Sequence, residues 1–186
     1  GRKPQLVGFG LENLNLETTE QGRIKINQQM QTSQPHIFIC GDANGKSLLA
    51  HTAIREAEVA IHTLLSIKDE MNYRAIPSVI YTNPEFAGVG ETEDSLNAKG
   101  IEYRKVTLPM AYSGRFAAEN ERTNGVCKLL FAEDDTLIGA HVLGNPASEI
   151  ITLAGMAIEL KLKADEWNKC IFPHPTVGEI FKEALQ

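Results

Sequence analysis

Two apolar segments separated by three acidic residues place the strongest constraint on how this chain folds. Residues 125–132 and 136–143 are rich in Val, Leu, Ile and Phe, and Glu133-Asp134-Asp135 lies between them. Short apolar runs on either side of a polar turn are typical of neighbouring antiparallel strands. The sequence therefore predicts a β-hairpin, and with it an antiparallel sheet in this half of the chain.

The remaining elements of this half are predicted from period and capping residues. Thr92 is suited to the N-cap of a helix and Gly100 to the position just after a helix end. The predicted elements are strands at 78–82 and 101–108, a helix from Thr92 to Lys99, a long helix after Asn145-Pro146 and a short helix after Pro175. Strands that cluster apart from the helices indicate an α+β fold, with an antiparallel sheet and flanking helices.

The first half has a different pattern. Residues 22–27 alternate between polar and apolar, which predicts a half-buried strand, and residues 36–40 predict a second strand. From 47 to about 66 the period is helical. Its predicted apolar face consists of Leu48, Leu49, Thr52, Ala53, Ala57, Ala60 and Ile61. The polar run 68–74 that follows is the best candidate for a domain boundary.

Composition excludes several classes of protein. The chain has 186 residues and a net charge of −6, which argues against binding to nucleic acid. No apolar run approaches the ~20 residues that span a bilayer, so no membrane segment is expected. Cys40, Cys127 and Cys170 form no pair with metal-site or redox spacing. We expect reduced thiols, buried at Cys40 and Cys127 in their apolar runs, no metal site, and a cytoplasmic location.

A Gly-containing turn ahead of the predicted helix resembles a phosphate-binding P-loop. A P-loop has four residues between its glycines, whereas Gly41 and Gly45 are separated by three. A P-loop-like nucleotide-binding protein is therefore only an alternative. Backbone N–H groups at such a turn stabilise electron-rich ligands, and Asp42 can accept hydrogen bonds from sugar hydroxyls. Asp42 can equally do no more than close the turn.

A second candidate site lies near the C-terminus, in His174-Pro-Thr-x-x-Glu179. A carboxylate on one imidazole nitrogen fixes the tautomer, so that the other nitrogen can accept a proton. The same spacing fits a capping box, in which Glu179 accepts the backbone N–H of Thr176 and takes part in no chemistry. The local pattern leaves both interpretations open.

Taken together, motifs spread over nearly the whole chain resemble the C-terminal part of the dihydrolipoamide dehydrogenase family, among the flavin- and disulfide-dependent pyridine-nucleotide oxidoreductases. The match depends on their order and spacing. They are Gly1-Arg-Lys-Pro4, Thr32-Ser-Gln-Pro-His-Ile-Phe-Ile-Cys-Gly-Asp42, Leu48-Leu-Ala-His51, the segment 76–85 with Val89-Gly90, and His174-Pro-Thr-x-x-Glu179.

The resemblance implies a division of the chain and a set of cofactor contacts. Residues 1–70 would be the last segment of an FAD-binding domain, with the end of an NAD domain at 1–4. Residues 76–186 would be the interface or dimerisation domain. The implied cofactor-binding residues are Gly41 and Asp42 at the FAD ribityl chain, Leu48, Leu49, Ala50 and His51 at the flavin ring, and Gly1 beside NAD.

The resemblance also implies an activity, the oxidation of protein-bound dihydrolipoamide to lipoamide with NAD as acceptor, and a role in cell redox homeostasis. His174 would be the acid–base residue, acting across a homodimer, and Glu179 its orienter. The implied partner is the lipoyl-bearing component of a 2-oxoacid dehydrogenase or glycine cleavage complex. The sequence has no C-x-x-x-x-C redox pair and no complete G-x-G-x-x-G. We therefore expect an inactive fragment that lacks FAD and NAD.

Two alternatives stay open beside this interpretation. Phe172 stands where many of these enzymes have a second histidine, so a glutathione-type disulfide is an alternative substrate. The chain could also be a non-catalytic dimerisation module of a related disulfide oxidoreductase.

Overall fold

The computed structural model of the chain describes residues 3–120 and 124–186. It divides into two compact units, residues 1–73 (unit 1) and residues 74–186 (unit 2). Each unit has its own buried apolar residues, and each is described separately below.

Unit 1 consists of turns and one long helix. Its regular elements are the 3-10 turns Leu11–Asn13 and Gly41–Asn44 and helix α1, Ala50–Leu64. The buried apolar side chains that surround them include Ile24, Met30, Ile39, Val59 and Met71.

Two predictions for unit 1 are wrong. Residues 22–27 and 36–40 are not strands, because in the described part of unit 1 they form only the isolated bridges Thr18↔Ile24 and Gln31↔Phe38. A strand requires a ladder of hydrogen bonds to a neighbour, and the alternating pattern cannot show that a neighbour is present. The predicted face of α1 is also rotated, since Ala57 and Ile61 are exposed while Glu56 and Val59 are buried.

Unit 2 has the predicted α+β architecture. Its elements are β1 (Ser78–Ile80), β2 (Phe86–Gly90), α2 (Glu93–Lys99), β3 (Arg104–Pro109), α3 (Gly114–Glu119), β4 (Val126–Phe131), β5 (Leu137–Leu143), α4 (Ala147–Glu159), α5 (Ala164–Asn168) and α6 (Glu179–Ala184). The five strands form one antiparallel sheet in the order β1-β2-β5-β4-β3.

The predicted hairpin lies at the centre of this sheet as β4 and β5. Leu129 on β4 is opposite Ala140 on β5, which in turn is opposite Val89 on β2. All three side chains are buried, in one cluster with Ala154 of α4 and Phe181 of α6. The side-chain period of two explains why one face of each strand supplies this core.

Local signals also placed α2 correctly. The hydroxyl of Thr92 accepts the backbone N–H of Ser95 at 3.0 Å. Gly100 ends the helix with φ of 65°, in the left-handed region that favours glycine. Strand β2 and helices α3 and α5 were not predicted. The predicted short helix after Pro175 is α6, which begins at Glu179 after a turn at residues 177–178.

Neither a membrane span nor a metal cluster is found among residues 3–120 and 124–186. No helix there combines the length and hydropathy needed to cross a bilayer. No three His, Cys, Asp or Glu side chains of these residues lie close enough together to hold a metal ion. Cys40 and Cys127 lie in apolar runs and were predicted to be buried. Cys127 is buried, Cys40 is half-buried, and Cys170 is exposed.

Candidate active site and cofactor-binding turn

The imidazole of His174 lies on the surface of unit 2, on the segment 173–178 between α5 and α6. The side chain of His174 is 80% exposed, whereas that of Glu179, the first residue of α6, is 21% exposed. The accessible ring of His174 can therefore meet a substrate, whereas the largely covered carboxylate of Glu179 stays fixed beside it.

Glu179 holds the ring through one nitrogen. Nδ1 of His174 lies 3.0 Å from Oε1 and 3.2 Å from Oε2 of Glu179. A carboxylate only accepts hydrogen bonds, so Nδ1 is the protonated nitrogen and Nε2 of the neutral ring carries a free lone pair. The geometry therefore leaves Nε2 as an exposed proton acceptor.

The same carboxylate also performs the backbone role that the capping-box interpretation gave it. Oε2 accepts the backbone N–H of Thr176 at 2.7 Å. The hydroxyl of Thr176 donates to the carbonyl of Pro173 at 2.9 Å instead of capping α6. Glu179 is thus shared between a main-chain amide and an imidazole, and the two sequence interpretations coexist.

These hydrogen bonds favour the ionised carboxylate. The backbone N–H of Thr176, followed by the ring of His174, lowers the pKa of Glu179 from its ordinary value. Hydrogen bonds to the charged form of a carboxyl always act in this direction. An ionised Glu179 is also the form that keeps the proton on Nδ1.

Ser113 secures the segment from a different part of unit 2. Its hydroxyl donates to the carbonyl of Thr176 at 3.1 Å and accepts the backbone N–H of Phe116 at 3.2 Å. Ser113 is itself buried, so this contact links the segment to the start of α3. No local pattern indicates this contact, because the two residues are 63 positions apart.

An apolar groove of about 710 Å³ lies beside the segment and is formed by unit 2 alone. Pro173 and Thr176 form one wall, and α4 contributes Leu153, Met156 and Ala157 to another. Both Leu153 and Met156 are exposed. Exposed apolar surfaces of this kind are typical of protein–protein interaction sites.

The predicted cofactor-binding turn lies in unit 1. Gly41 is buried and adopts φ of +70°, a left-handed conformation that side chains disfavour. Asp42 follows it and is exposed. The turn is a 3-10 turn, and no strand of the described part of unit 1 precedes it. The turn therefore lacks the strand that usually precedes a P-loop. The ammonium of Lys46 lies 5.0 Å from the ring centroid of Tyr73.

Residues 48–51 lead from this turn into α1. Leu48 and Leu49 are half-buried, and Ala50 and His51 are exposed in the first turn of the helix. No side chain caps the N-terminus of α1 at Leu49, so this end presents the positive pole of the helix dipole. The exposed carboxylate of Asp42 can accept hydrogen bonds from hydroxyl groups, and the N-terminus of α1 can stabilise negative charge. Together these groups fit FAD. Gly1, predicted beside NAD, lies outside the described residues.

Two residues at this turn escaped the sequence analysis. Glu56 is fully buried and accepts the backbone N–H of Gly41, and the hydroxyl of Tyr73 donates to the same carboxylate. One signal was available, because Glu56 lies four residues after Thr52 and four before Ala60, on an otherwise apolar face. A lone acidic residue at such a position indicates a buried hydrogen-bonding role.

The chain matches two family profiles. Residues 76–185 match the dimerisation domain of the pyridine nucleotide-disulphide oxidoreductases, and residues 1–57 match the pyridine nucleotide-disulphide oxidoreductase family.

Curated relatives match over nearly the whole chain. The chain is 39% identical to dihydrolipoamide dehydrogenase of Chaetomium thermophilum, over 99% of its own length and 36% of the relative. It is 37% identical to human mitochondrial dihydrolipoyl dehydrogenase, with the same two coverages. Dihydrolipoyl dehydrogenase of Buchnera aphidicola is 39% identical, over 96% of the chain and 38% of the relative. The chain thus spans little more than a third of these relatives.

Solved structures share the fold. LpdA from Mycobacterium tuberculosis superposes with a TM-score of 0.89 at 23% identity, over 98% of this chain and 40% of that one. The HOCl-induced flavoprotein disulfide reductase RclA from Escherichia coli, as its Cu(II) complex, superposes with a TM-score of 0.85 at 24% identity, over 100% of this chain and 42% of that one. At these identities the likeness concerns the fold alone.

Proposed function

The chain belongs to the pyridine nucleotide-disulphide oxidoreductase family, and on that premise we propose that it is the C-terminal part of a dihydrolipoyl dehydrogenase. The longer protein would oxidise protein-bound dihydrolipoamide to lipoamide, with NAD as the final acceptor. Its partner would be the lipoyl-bearing component of a 2-oxoacid dehydrogenase or glycine cleavage complex. By itself the chain would be inactive, since its sequence has no C-x-x-x-x-C redox pair.

One observation carries the proposal, the contact between His174 and Glu179. A thiol has a pKa near 8.5, so little thiolate is present at neutral pH, and only the thiolate attacks a disulfide. The substrate therefore needs a base. An exposed imidazole with Nδ1–H held 3.0 Å from a carboxylate oxygen presents Nε2 for that proton.

The proton and the electrons would follow separate routes. Nε2 of His174 would take the thiol proton, and the thiolate would attack one sulfur of the redox disulfide. The S–S bond would break, so that a mixed disulfide forms and the other enzyme sulfur leaves as a thiolate. The positive charge that His174 gains would be stabilised by Glu179, which is already fixed by the N–H of Thr176. The second thiol of the substrate would pass its proton to the displaced enzyme thiolate and attack the substrate sulfur of the mixed disulfide. This step would form lipoamide and release the other enzyme cysteine as a thiolate beside protonated His174.

FAD would bind at the turn in unit 1. Asp42 would accept hydrogen bonds from the ribityl hydroxyls, next to Gly41, and residues 48–51 would face the flavin ring. When bound, FAD supplies the electron acceptor for the reduced disulfide and NAD takes the electrons onward. The contribution of this chain would be to hold and orient the flavin, with the N-terminus of α1 favouring negative charge on the ring.

The occupant of the apolar groove would be a second copy of the chain. The groove lies in the part of unit 2 that matches a dimerisation domain. Ile171 on its rim is 97% exposed, and such exposure of a large apolar side chain is costly in water. A homodimer formed here would also bring Pro173 and His174 of one subunit close to the redox disulfide of the other subunit.

A further observation supports the assignment of unit 1 to a larger flavin domain. Helix α1 exposes Ile54, Ile61 and Leu64. These residues recur at helical spacing and form an apolar stripe on the side of α1 opposite its buried face. A stripe of this kind is what α1 would present to the remainder of an FAD-binding domain.

The proposal is tested by His174→Gln in the longer protein that carries this sequence. Disulfide reduction by dihydrolipoamide should slow about 10²–10⁴-fold, because the general base is lost. Flavin content, read from visible absorbance, should not change. His36→Gln replaces another exposed histidine and is the matched control. Rapid-mixing kinetics that are the same for His174→Gln and the control would refute the proposed role.

The dimer is tested by placing a charge in the groove. Met156→Glu should convert dimer to monomer in sedimentation equilibrium, because a carboxylate is expensive to bury without a partner. Ile101→Glu is the control, since Ile101 is an exposed apolar residue that does not line the groove. If Met156→Glu sediments as the unchanged protein does, the groove is not the interface.

A further inference from the structure

Glu56 is a fully buried carboxylate on the face of α1 that packs inside unit 1. We infer that Glu56 is a positioning residue for the cofactor site, because its side chain holds the Gly41–Asn44 turn in the shape that presents Asp42. This inference rests on the proposed function, in which Asp42 binds the flavin. It assigns to the site a residue that would make no contact with the cofactor itself.

Both oxygens of Glu56 are engaged. Oε2 accepts the backbone N–H of Gly41 at 2.5 Å and the side-chain amide of Asn44 at 2.8 Å. Oε1 accepts the hydroxyl of Tyr73 at 2.7 Å. Gly41 and Asn44 are the first and last residues of the turn, and both are buried. A single carboxylate therefore fixes both ends of a turn whose exposed second residue is Asp42.

The turn depends on such an external contact. A 3-10 turn of four residues makes few hydrogen bonds of its own, and the one that closes this turn joins the N–H of Gly45 to the carbonyl of Asp42 at 3.1 Å. Glu56 lies about two helical turns into α1. Its hydrogen bonds therefore fix the turn to the helix whose first residues are also proposed to face the flavin.

Tyr73 holds the carboxylate from the other side. Burial, followed by the hydrogen bond to Glu56, raises the pKa of the Tyr73 phenol, so the hydroxyl keeps its proton and remains a donor. Two donors on Oε2 and one on Oε1 leave the carboxylate little freedom to rotate. This arrangement makes Glu56 a rigid brace rather than a solvated charge.

Two conservative variants separate the shape of this brace from its charge. In Glu56→Gln the amide oxygen can still accept from Gly41 and Asn44, and the amide N–H can donate to the oxygen of Tyr73. In Glu56→Asp the charge stays, but the oxygens are drawn back by about 1.5 Å, the length of one C–C bond. If Glu56 acts by positioning the turn, the affinity for FAD must depend on the length and shape of this side chain and not on its charge.

The experiment is a fluorescence titration of FAD into the flavin-free longer protein. Glu56→Gln should bind FAD within about threefold of the unchanged protein, whereas Glu56→Asp should bind about tenfold more weakly, since it loses the buried hydrogen bonds to the turn. An affinity for FAD that is kept in Glu56→Gln and reduced in Glu56→Asp is the result expected of a positioning residue. Equal affinities for all three proteins, or a loss in Gln as large as that in Asp, would overturn the inference.

A second measurement needs no flavin. Amide exchange at Gly41, whose N–H donates to Glu56, should stay slow in Glu56→Gln and become at least about tenfold faster in Glu56→Asp. Exchange within α1, for example at Val59, reports whether the variant is folded. Fast exchange at Gly41 in Glu56→Gln, with Val59 still protected, would contradict the inference.

Asp42→Asn distinguishes a failure of the inference from a failure of the proposed function. If Asp42→Asn binds FAD as tightly as the unchanged protein, the turn is not a flavin site and the proposed cofactor contact fails. If Asp42→Asn weakens binding while Glu56→Asp does not, the flavin site stands and only the positioning role of Glu56 is refuted.

Discussion

The turn at 41–44 in unit 1 and the segment 173–178 in unit 2 are each organised by one glutamate, yet the two carboxylates are used differently. Glu56 is fully buried, and the donors that reach it are a backbone N–H, an amide and a phenol, all inside unit 1. Glu179 is partly open to solvent. Its Oε1 contacts the imidazole of His174, and its Oε2 accepts the N–H of Thr176 and also lies near the same ring.

The difference teaches that burial decides what a hydrogen-bonded carboxylate can do. A buried carboxylate surrounded by donors fixes its neighbours, because any change in its contacts leaves polar groups unsatisfied. A carboxylate at the surface can support a ring whose own charge changes, because solvent is at hand to accommodate the change. Glu56 is therefore suited to holding a turn, and Glu179 to supporting proton transfer.

The largest expected effect comes from removing the buried carboxylate. Glu56→Ala leaves Gly41, Asn44 and Tyr73 without their acceptor, so the unfolding free energy of unit 1 should fall by about 3 kcal/mol or more, at 1–3 kcal/mol for each unsatisfied donor. Glu179→Ala should destabilise unit 2 far less, since water can reach the donors it leaves. Denaturant dependence of amide exchange in α1 and α4 reports the two units separately. Equal losses of unfolding free energy in Glu56→Ala and Glu179→Ala would contradict the difference between the buried and the partly exposed carboxylate.

The second expected effect is on catalysis in the longer protein. In Glu179→Gln the amide oxygen can still accept from Thr176, but the amide N–H faces Nδ1 and favours the wrong tautomer of His174. Reduction of the disulfide by dihydrolipoamide should slow roughly 10²-fold, the lower end of the range for a general base.

Glu183→Gln is the matched control for that variant. It removes a carboxylate from the same short helix, α6, but from a residue that does not contact His174. A rate in Glu179→Gln equal to that in Glu183→Gln would mean that Glu179 serves the backbone alone.

The smallest expected effect is the acid response of the segment. The N–H of Thr176 and the ring of His174 hold the pKa of Glu179 below its ordinary value of about 4.5. A carboxyl with a depressed folded-state pKa stabilises the fold fully above its ordinary pKa, and this stabilisation is lost as the pH falls through the folded-state value. Protection of the Thr176 amide from exchange should therefore be constant from neutral pH to about pH 5 and decrease below about 4.5.

Glu179→Gln provides the comparison for this response. Its amide oxygen does not titrate, so the protection of Thr176, corrected for the intrinsic pH dependence of exchange, should be flat over the same range. An acid response that survives unchanged in Glu179→Gln would assign it to another group.

Local signals predicted much of unit 2. The hairpin of β4 and β5, the helix between Thr92 and Gly100, and the proximity of His174 to Glu179 all depend on residues close together in sequence. Caps, turns and side-chain period are set by such short-range contacts. For the same reason, the local sequence indicates both the backbone contact of Glu179 and its contact with His174.

Long-range contacts were beyond the reach of these signals. The alternating residues 22–27 were expected to form a strand, but a strand depends on a neighbour that the segment itself does not specify. The order β1-β2-β5-β4-β3 likewise places β2 beside β5 across a long stretch of chain. The contact of Ser113 with Thr176 joins residues 63 positions apart.

The sequence by itself determined the α+β class of unit 2, its central hairpin and the pairing of an imidazole with a glutamate near the C-terminus. Only the tertiary structure decided that Glu56 is buried against residues 15, 12 and 17 positions away, and that Glu179 serves the backbone and the ring at once. The physical reason is that period and capping follow from neighbours along the chain, whereas the burial of a polar group depends on which distant donors the fold brings to it.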